Sequence, residues 1–365
     1  MAHIDLFYGK PQKCRERKII SGTPLHPSGI LNSMFSFRKK ASPRSTTRLF
    51  FATDLHGSER TFRKFINAAK FYHVQILILG GDVLGKIAVP IIREPSGNFR
   101  ATLHGRVQRI TTAAELTAFQ EQLGLLGFYF KIMEEDEYQR LRADPTAVEL
   151  LFQQLARERL ESWIELAEAR LADTGTLCYV TGGNDDYPEV LDVLNRPDAQ
   201  YVFAAEDKVL QVDAQHTLVS HGFSTPTPWH TPREVPDEQL GQMIDKLIAR
   251  VDDPAHCIFN FHEPPVDSTL DTCPQLDWST DPPAQITRAG QVVMFGAGSR
   301  SVRTAIEKTQ PLLSLHGHIH ESPGAVRIGK TLCINPGSEY GEGVLRGCIL
   351  NLSAGQIDSY QLTAG

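Results

Sequence analysis

The chain has 365 residues, of which 41% are hydrophobic and 22% charged, a balance that supports a sizeable core and argues against global disorder. At about 150 residues per domain, this length fits one large domain or two ordinary ones. Lys and Arg number 37 against 43 Asp and Glu, a net charge of −6, so bulk charge does not mark a nucleic-acid binder, and no apolar run approaches the ~20 residues that span a bilayer.

Residues 1–47 show no sustained period and carry a basic cluster (Lys10, Lys13, Arg15, Arg17, Lys18, Arg38, Lys39, Lys40, Arg44). They read either as a solvated arm or as a phosphate-contacting one. The first residues contain no apolar signal-peptide core. Six cysteines are dispersed without a C-x-x-C pair, which suits reduced thiols in a cytoplasmic protein better than a disulfide framework or a zinc ribbon.

A compact domain is expected over 48–355, with 356–365 as a C-terminal tail. Leu49–Thr53 reads as a buried strand, followed by the turn Asp54-Leu55-His56-Gly57-Ser58 and a helix from Glu59 to Phe71 with Phe62, Phe65, Ile66 and Ala69 on one face. A second apolar strand, Val74–Leu79, ends in Gly80-Gly81-Asp82. Strand, helix and strand in that order predict a parallel sheet. Residues 87–110 read as a short β excursion, and 111–173 as an insertion of two or three helices. Strand logic resumes at Thr176–Thr181, ending in Gly182-Gly183-Asn184-Asp185-Asp186, and continues at 208–213, 217–220, 257–261, 312–316, 331–334 and 346–352. Several of these lack intervening helices, so part of the fold is expected to be antiparallel.

Five of the predicted strands end in potential metal ligands: Asp54-Leu55-His56, Asp82, Asn184-Asp185, His262, and His318-Ile319-His320. Strand C-termini in open α/β sheets converge on one edge, where ligands bind. In D-x-H and H-x-H the outer residues are two apart and point the same way in extended chain. Oxygen and imidazole donors without cysteine suit Mn, Fe, Zn or Co, with manganese foremost.

This order of motifs resembles the calcineurin-like metallophosphoesterases, whose pattern runs D-x-H, G-D, G-N-H-D/E, a single His, then G-H-x-H. The likeness covers 48–352 apart from the helical insertion. It implies a four-layer α/β/β/α sandwich of two mixed sheets with two divalent metal ions at their edge. Asp54, His56 and His320 would hold the first ion, Asn184, His262 and His318 the second, and Asp82 would bridge them. His262 is preferred to His221 because it follows the apolar run Cys257–Phe261 and precedes the stiffening pair Pro264-Pro265. Glu321 and Asp186 are candidates to hold the ligand imidazoles from behind. Ile334-Asn335-Pro336-Gly337-Ser338 resembles a turn found near the site in the bacterial and archaeal branch, and it also reads simply as a Pro-Gly turn between strands.

The implied activity is hydrolysis of a phosphate-ester P–O bond by a hydroxide bridging the metals, the pair lowering the pKa of a shared water. The chain departs from the pattern at Asp185, where the family carries the histidine that protonates the leaving oxygen. Asp185 would serve as the acid only if protonated. Lys86 is positioned in sequence to reach a phosphate oxygen. The Pro-rich run 225–234 offers Trp229 to stack on a base and Arg233 to pair with phosphate, or else is a structural loop with Trp229 as a plug. A phosphodiester, or a nucleotide, is the expected substrate, partly because the insertion is large enough to cap a site. The alternatives are a non-catalytic interaction module on the same scaffold and a nuclease guided to single strands by the basic arm.

Overall fold

A computed structural model describes residues 46–280 and 283–365, so the basic arm expected over 1–47 lies almost wholly outside the described residues. In chain order the first elements are β1 (Thr47–Ala52), α1 (Glu59–Tyr72), β2 (Ile76–Gly80), β3 (Ala88–Arg93), β4 (Phe99–Leu103), β5 (Arg106–Ile110), α2 (Ala113–Leu125) and β6 (Tyr129–Glu134). Next come α3 (Glu135–Arg142), α4 (Pro145–Leu171), β7 (Leu177–Thr181), α5 (Pro188–Leu191), β8 (Val202–Ala204), β9 (Val209–Gln211), β10 (Thr217–His221), α6 (Asp237–Ile248) and β11 (Cys257–Phe261). The chain finishes with a hairpin region of six short strands between Thr272 and Gly296, then α7 (Arg300–Thr309), β12 (Leu313–Leu315), β13 (Gly324–Ile328), β14 (Thr331–Asn335), β15 (Arg346–Ser353) and β16 (Gln356–Ala364).

Two six-stranded mixed sheets form the frame, ordered β16-β15-β1-β2-β7-β8 and β13-β14-β12-β11-β10-β9. Each has four parallel strands at its heart: β1, β2, β7 and β8 in the first, β14, β12, β11 and β10 in the second. Side-chain alternation sets the layers. In β1, Leu49 and Phe51 join Ile76, Ile78, Ile258 and Leu313 between the sheets, whereas Phe50 and Ala52 face the helical side with Phe65 and Trp163. On the far face of the second sheet, Phe259 and Phe261 pack with Leu240 and Ile244 of α6 and Val302 and Ile306 of α7. The result is a four-layer α/β/β/α sandwich, as the sequence implies. Asn260 bridges the two sheets within it, donating its amide to Thr181 Oγ1 at 2.9 Å and Ser220 Oγ at 3.1 Å.

Two sequence expectations are corrected. The insertion expected over 111–173 is not wholly helical: Tyr129–Glu134 is strand β6, parallel to β3, which completes a four-stranded sheet β5-β4-β3-β6. Helix-forming neighbours on both sides hide it in the composition, while pairing with β3 satisfies its backbone. Residues 356–364 are likewise not a loose tail but an edge strand, paired antiparallel to β15 from Arg346↔Ala364 to Ser353↔Gln356. Its side chains are mostly exposed, so no core pattern marks it in the sequence.

The insertion is anchored by α4. Trp163 is buried and stacks on Phe62 of α1 with ring centroids 4.0 Å apart, a contact of the kind that adds about 0.5–1.5 kcal/mol to simple burial. Asp144 caps α4, accepting from Thr146 N and Ala147 N, with Pro145 in the first turn. No helix among the described residues is long and apolar enough to cross a membrane.

Candidate metal centre

The parallel strands of both sheets deliver their C-terminal loops to one edge. Asp54 and His56 follow β1, Asp82 follows β2, and Asn184 follows β7; His262 follows β11, and His318 and His320 follow β12. The backbone turns sharply at these ends: Asp54, His56, Asp82 and His318 have φ of +55°, +42°, +47° and +67°. Such left-handed conformations cost energy in non-glycine residues, and they are characteristically stored at functional sites. Gly81 permits a close approach, because a Cβ there would lie 2.2 Å from His262 Nδ1.

The side chains form two adjoining clusters. Asp54, His56, Asp82 and His320 bring ligand atoms within 4.8 Å of one another, and so do Asp82, His262 and His318. Asp82 belongs to both: its Oδ2 lies 3.6 Å from His56 Nε2 and its Oδ1 3.4 Å from His262 Nε2. Asn184 completes the second cluster, with its Oδ1 2.7 Å from His318 Nδ1 and 3.1 Å from His262 Nε2. In the first cluster the Nε2 atoms of His56 and His320 face each other at 3.1 Å, and Asp54 Oδ1 is 3.4 Å from His320 Nε2. Asp54, His56, Asp82 and His262 are almost fully buried.

The electrostatics fit cations. Burial works against charge on Asp54, but the hydrogen bond and charge of His320, with His262, hold its carboxyl at about 2. Asp82 is likewise held well below the usual carboxylate range, burial being outweighed by His262 and His56. Burial and the charge of Lys86 keep His56 neutral, and burial beside His262 brings His318 down to about 4. Against burial, Asp82 and Asp54 lift His262 to about 10. Two buried anionic carboxylates among convergent imidazoles and an amide oxygen make a donor set suited to divalent cations, and a desolvated charge of this kind requires a partner.

Around the clusters, Asp186 accepts from the N–H groups of Val83, Leu84 and Gly183 at 2.7–2.9 Å and so shapes the Asp82 loop rather than holding an imidazole. Glu321 is exposed. Asn335 donates to the carbonyl of Ile319 at 2.9 Å, and Ser338 Oγ donates to the Asp54 carbonyl at 2.7 Å. The turn at 335–338 thus braces two ligand loops. His221 is excluded from the clusters, its Nδ1 lying 2.7 Å from Asp207.

Lys86 Nζ lies 2.6 Å from Asp185 Oδ2, and Asp185 in turn approaches His56 Nδ1 at 3.7 Å. Burial and the Asp82 charge push Asp185 up to about 6 against the pull of Lys86. Arg233 departs from its expected role. Its guanidinium is buried, pairs with Glu206, donates to the Gly183 carbonyl at 3.0 Å and lies over the Phe223 ring at 4.6 Å, which leaves it no exposed face for a phosphate. Trp229 is half exposed.

The sequence gives no sign of Tyr340, whose ring centroid sits 4.5 Å from that of His56 and 5.9 Å from that of His320. Thr231 is also unmarked, although its Oγ1 accepts from Asn184 Nδ2 at 2.9 Å.

The insertion buttresses the ligand loops. Arg159 of α4 donates to the Gly57 carbonyl at 2.8 Å and pairs with Glu59 at 3.1 Å. Ser58 Oγ donates to the Leu125 carbonyl at 2.9 Å, and the Tyr129 hydroxyl accepts from Gly85 N at 2.6 Å. At Gly127, with φ +80°, a Cβ would lie 2.0 Å from the His56 carbonyl oxygen.

No protein-family model matches the chain. Among curated proteins it is 30% identical over 156 residues to an uncharacterized protein of Methanocaldococcus jannaschii, MJ1162, covering 42% of this chain and 61% of that one, so the chain spans about three-fifths of that relative's length. A solved crystal structure without a functional name is similar at TM-score 0.53 and 14% identity, over 88% of this chain and 99% of its own, and this likeness establishes the fold alone. A phosphoesterase from E. coli, YfcE, is more distant, at TM-score 0.30 and 11% identity over 86% of this chain and 98% of its own.

Proposed function

We propose that the protein is a metal-dependent phosphoesterase that hydrolyses P–O bonds, with phosphodiesters as its substrates. The observation that carries this reading is the position of Asp82, whose two carboxylate oxygens face separate clusters of buried ligands. Asp54, His56 and His320 would hold one divalent cation, Asn184, His262 and His318 a second, and Asp82 both. Bound there, such cations supply Lewis acidity toward phosphoryl oxygens and make water a stronger nucleophile at neutral pH. The nitrogen and oxygen donors, without thiolate, suit manganese first, then Fe, Zn or Co.

The protein's own groups orient the ester. Lys86, 35% exposed, presents a fixed positive charge at the rim of the centre, where a non-bridging phosphate oxygen can meet it. Asp185 positions that ammonium and occupies the place of the imidazole acid. A monoester is close to doubly charged at neutral pH and a diester singly. A carboxylate at that place disfavours the monoester more, which supports the diester reading. The five free cysteines among the described residues accord with a reducing, cytoplasmic setting.

Turnover of bis-p-nitrophenyl phosphate and p-nitrophenyl phosphate by manganese-loaded protein tests the proposal. Diester cleavage should exceed monoester cleavage and disappear in Asp82→Ala. Inert, fully metal-loaded protein would favour the scaffold reading, which the ion pair at the acid position supports.

A further inference from the structure

We infer that Trp229 and Trp278 form an aromatic subsite beside the metal centre that takes the planar base of a nucleotide ester; this assignment of substrate class rests on the phosphoesterase reading above. The chain has three tryptophans. Trp163 is buried at 2% exposure, while Trp229 and Trp278 are each 47% exposed and meet edge to face, with centroids 5.6 Å apart and planes at 77°. An edge-to-face pair leaves broad ring surface in water, which is unfavourable unless a ligand covers it.

Both rings are carried by segments rooted in the ligand loops. On the Trp229 side, Thr231 Oγ1 accepts from Asn184 Nδ2 at 2.9 Å and Arg233 N donates to the Asn184 carbonyl at 3.1 Å. Glu234 gathers the same loop, accepting from the hydroxyls of Thr227 and Thr231 and from Thr231 N. Pro226, Pro228 and Pro232 reduce its freedom further. On the Trp278 side, Ser322, two residues past His320, donates its hydroxyl to the Thr272 carbonyl at the root of the hairpin. Asn335 ties Leu270 and Ile319 together through their carbonyls, at 3.2 and 2.9 Å. Beyond Trp278, Asp277 Oδ1 accepts from Ser279 N and Oγ at 2.9 and 2.6 Å, turning the chain.

One indole therefore lies on a segment hydrogen-bonded to the loop of Asn184, and the other on a hairpin whose root is tied to the loop of His318 and His320. Two rigid rings at a phosphate-ester centre match the two chemistries of a nucleotide: anionic phosphate at the cations and Lys86, and a flat base on the indoles. Base–aromatic stacking tolerates every base, because each presents a π-face. Met294 and Phe295, 46% and 47% exposed on the same hairpin, make self-association the competing outcome.

The test compares thymidine 5′-p-nitrophenyl phosphate with methyl p-nitrophenyl phosphate, two diesters that share a leaving group, on the manganese-loaded full chain. Wild type should favour the nucleoside ester in kcat/KM, and Trp229→Ala and Trp278→Ala should each reduce that preference about ten-fold, chiefly through KM. The corresponding Phe variants should retain most of it. An unchanged ratio overturns the inference and leaves the phosphoesterase reading intact. If neither ester is turned over, that reading fails, and the subsite is decided separately by titrating thymidine 5′-monophosphate against tryptophan fluorescence. Saturable quenching that is lost in Trp229→Ala supports the subsite, and absence of quenching overturns it. A change from dimer to monomer in Trp278→Ala, with the ester ratio intact, assigns the surface to a second copy of the chain and also overturns it.

Discussion

The ammonium of Lys86 lies 2.6 Å from Asp185 Oδ2, and the same carboxylate oxygen lies 3.7 Å from His56 Nδ1. Lys86 sits four residues past Asp82 and Asp185 one past Asn184, so the pair joins the loops of both clusters. Removing the cation as Lys86→Met takes away the positive charge offered to the phosphate and also the pull that holds the Asp185 carboxyl down, so that carboxyl rises further toward its neutral form. A charge-assisted hydrogen bond is lost as well, worth about 1.5–3 kcal/mol. The expected result is a ten- to hundred-fold lower kcat/KM for bis-p-nitrophenyl phosphate, mostly in KM. Steady-state kinetics at matched metal content measures it, and Lys86→Arg should recover part of the loss.

Among the described residues, Asp82 is the one side chain that both clusters share. Replacing it with Asn should therefore weaken both sites together, seen by mass spectrometry or elemental analysis as loss of nearly all bound metal. Removal of metal from the wild-type chain by chelation should lower thermal stability, since ligands that bind only the folded state contribute about 2.7 kcal/mol at a hundred times their dissociation constant. In a protein of this size that corresponds to a fall of about 4 °C in Tm. Calorimetry showing the same Tm with and without manganese would contradict the assignment.

Arg159 tests the buttress. Its guanidinium holds the carbonyl of Gly57 and the carboxylate of Glu59, next to His56 but without touching it. Arg159→Met should keep the fold, cost about 1–3 kcal/mol and weaken manganese binding several-fold by isothermal titration. Gly127→Ala should be harsher, destabilising by at least about 2 kcal/mol, because the methyl group meets the His56 carbonyl and the backbone has a positive φ.

Arg233 should behave as a core residue. Arg233→Ala strands the carboxylate of Glu206, and breaking a buried pair in this way costs about 3–5 kcal/mol. The double variant Arg233→Met/Glu206→Gln should restore much of the loss. Chemical denaturation reads both, and a KM effect without a stability effect would return Arg233 to the substrate wall.

The candidate ligands are legible in the sequence because each follows an apolar strand and precedes a turn, two signals that local pattern preserves. The apolar run before His262 and the prolines after it favour it over His221, and the structure groups His262 with Asp82 and His318 while His221 faces Asp207. The role of Arg233 is not legible, because its partner, Glu206, lies 27 residues away and no local pattern links them. Tyr340 and Thr231 escaped because an aromatic ring or a hydroxyl gains meaning only from what it touches. Strand β6 and the edge strand β16 share a different cause. Each is specified by a neighbour that pairs with its backbone, and neither carries the clean alternation of a strand with one face in a core.

Asp54, His56, Asp82 and Asn184 come from one sheet of the sandwich, and His262, His318 and His320 from the other. A cation pair held there would act as a clasp across the seam, each ion drawing donors from both layers. Pulling the layers apart and releasing such a pair would be linked events, so whatever tightened the grip on the ions would also resist shear between the sheets.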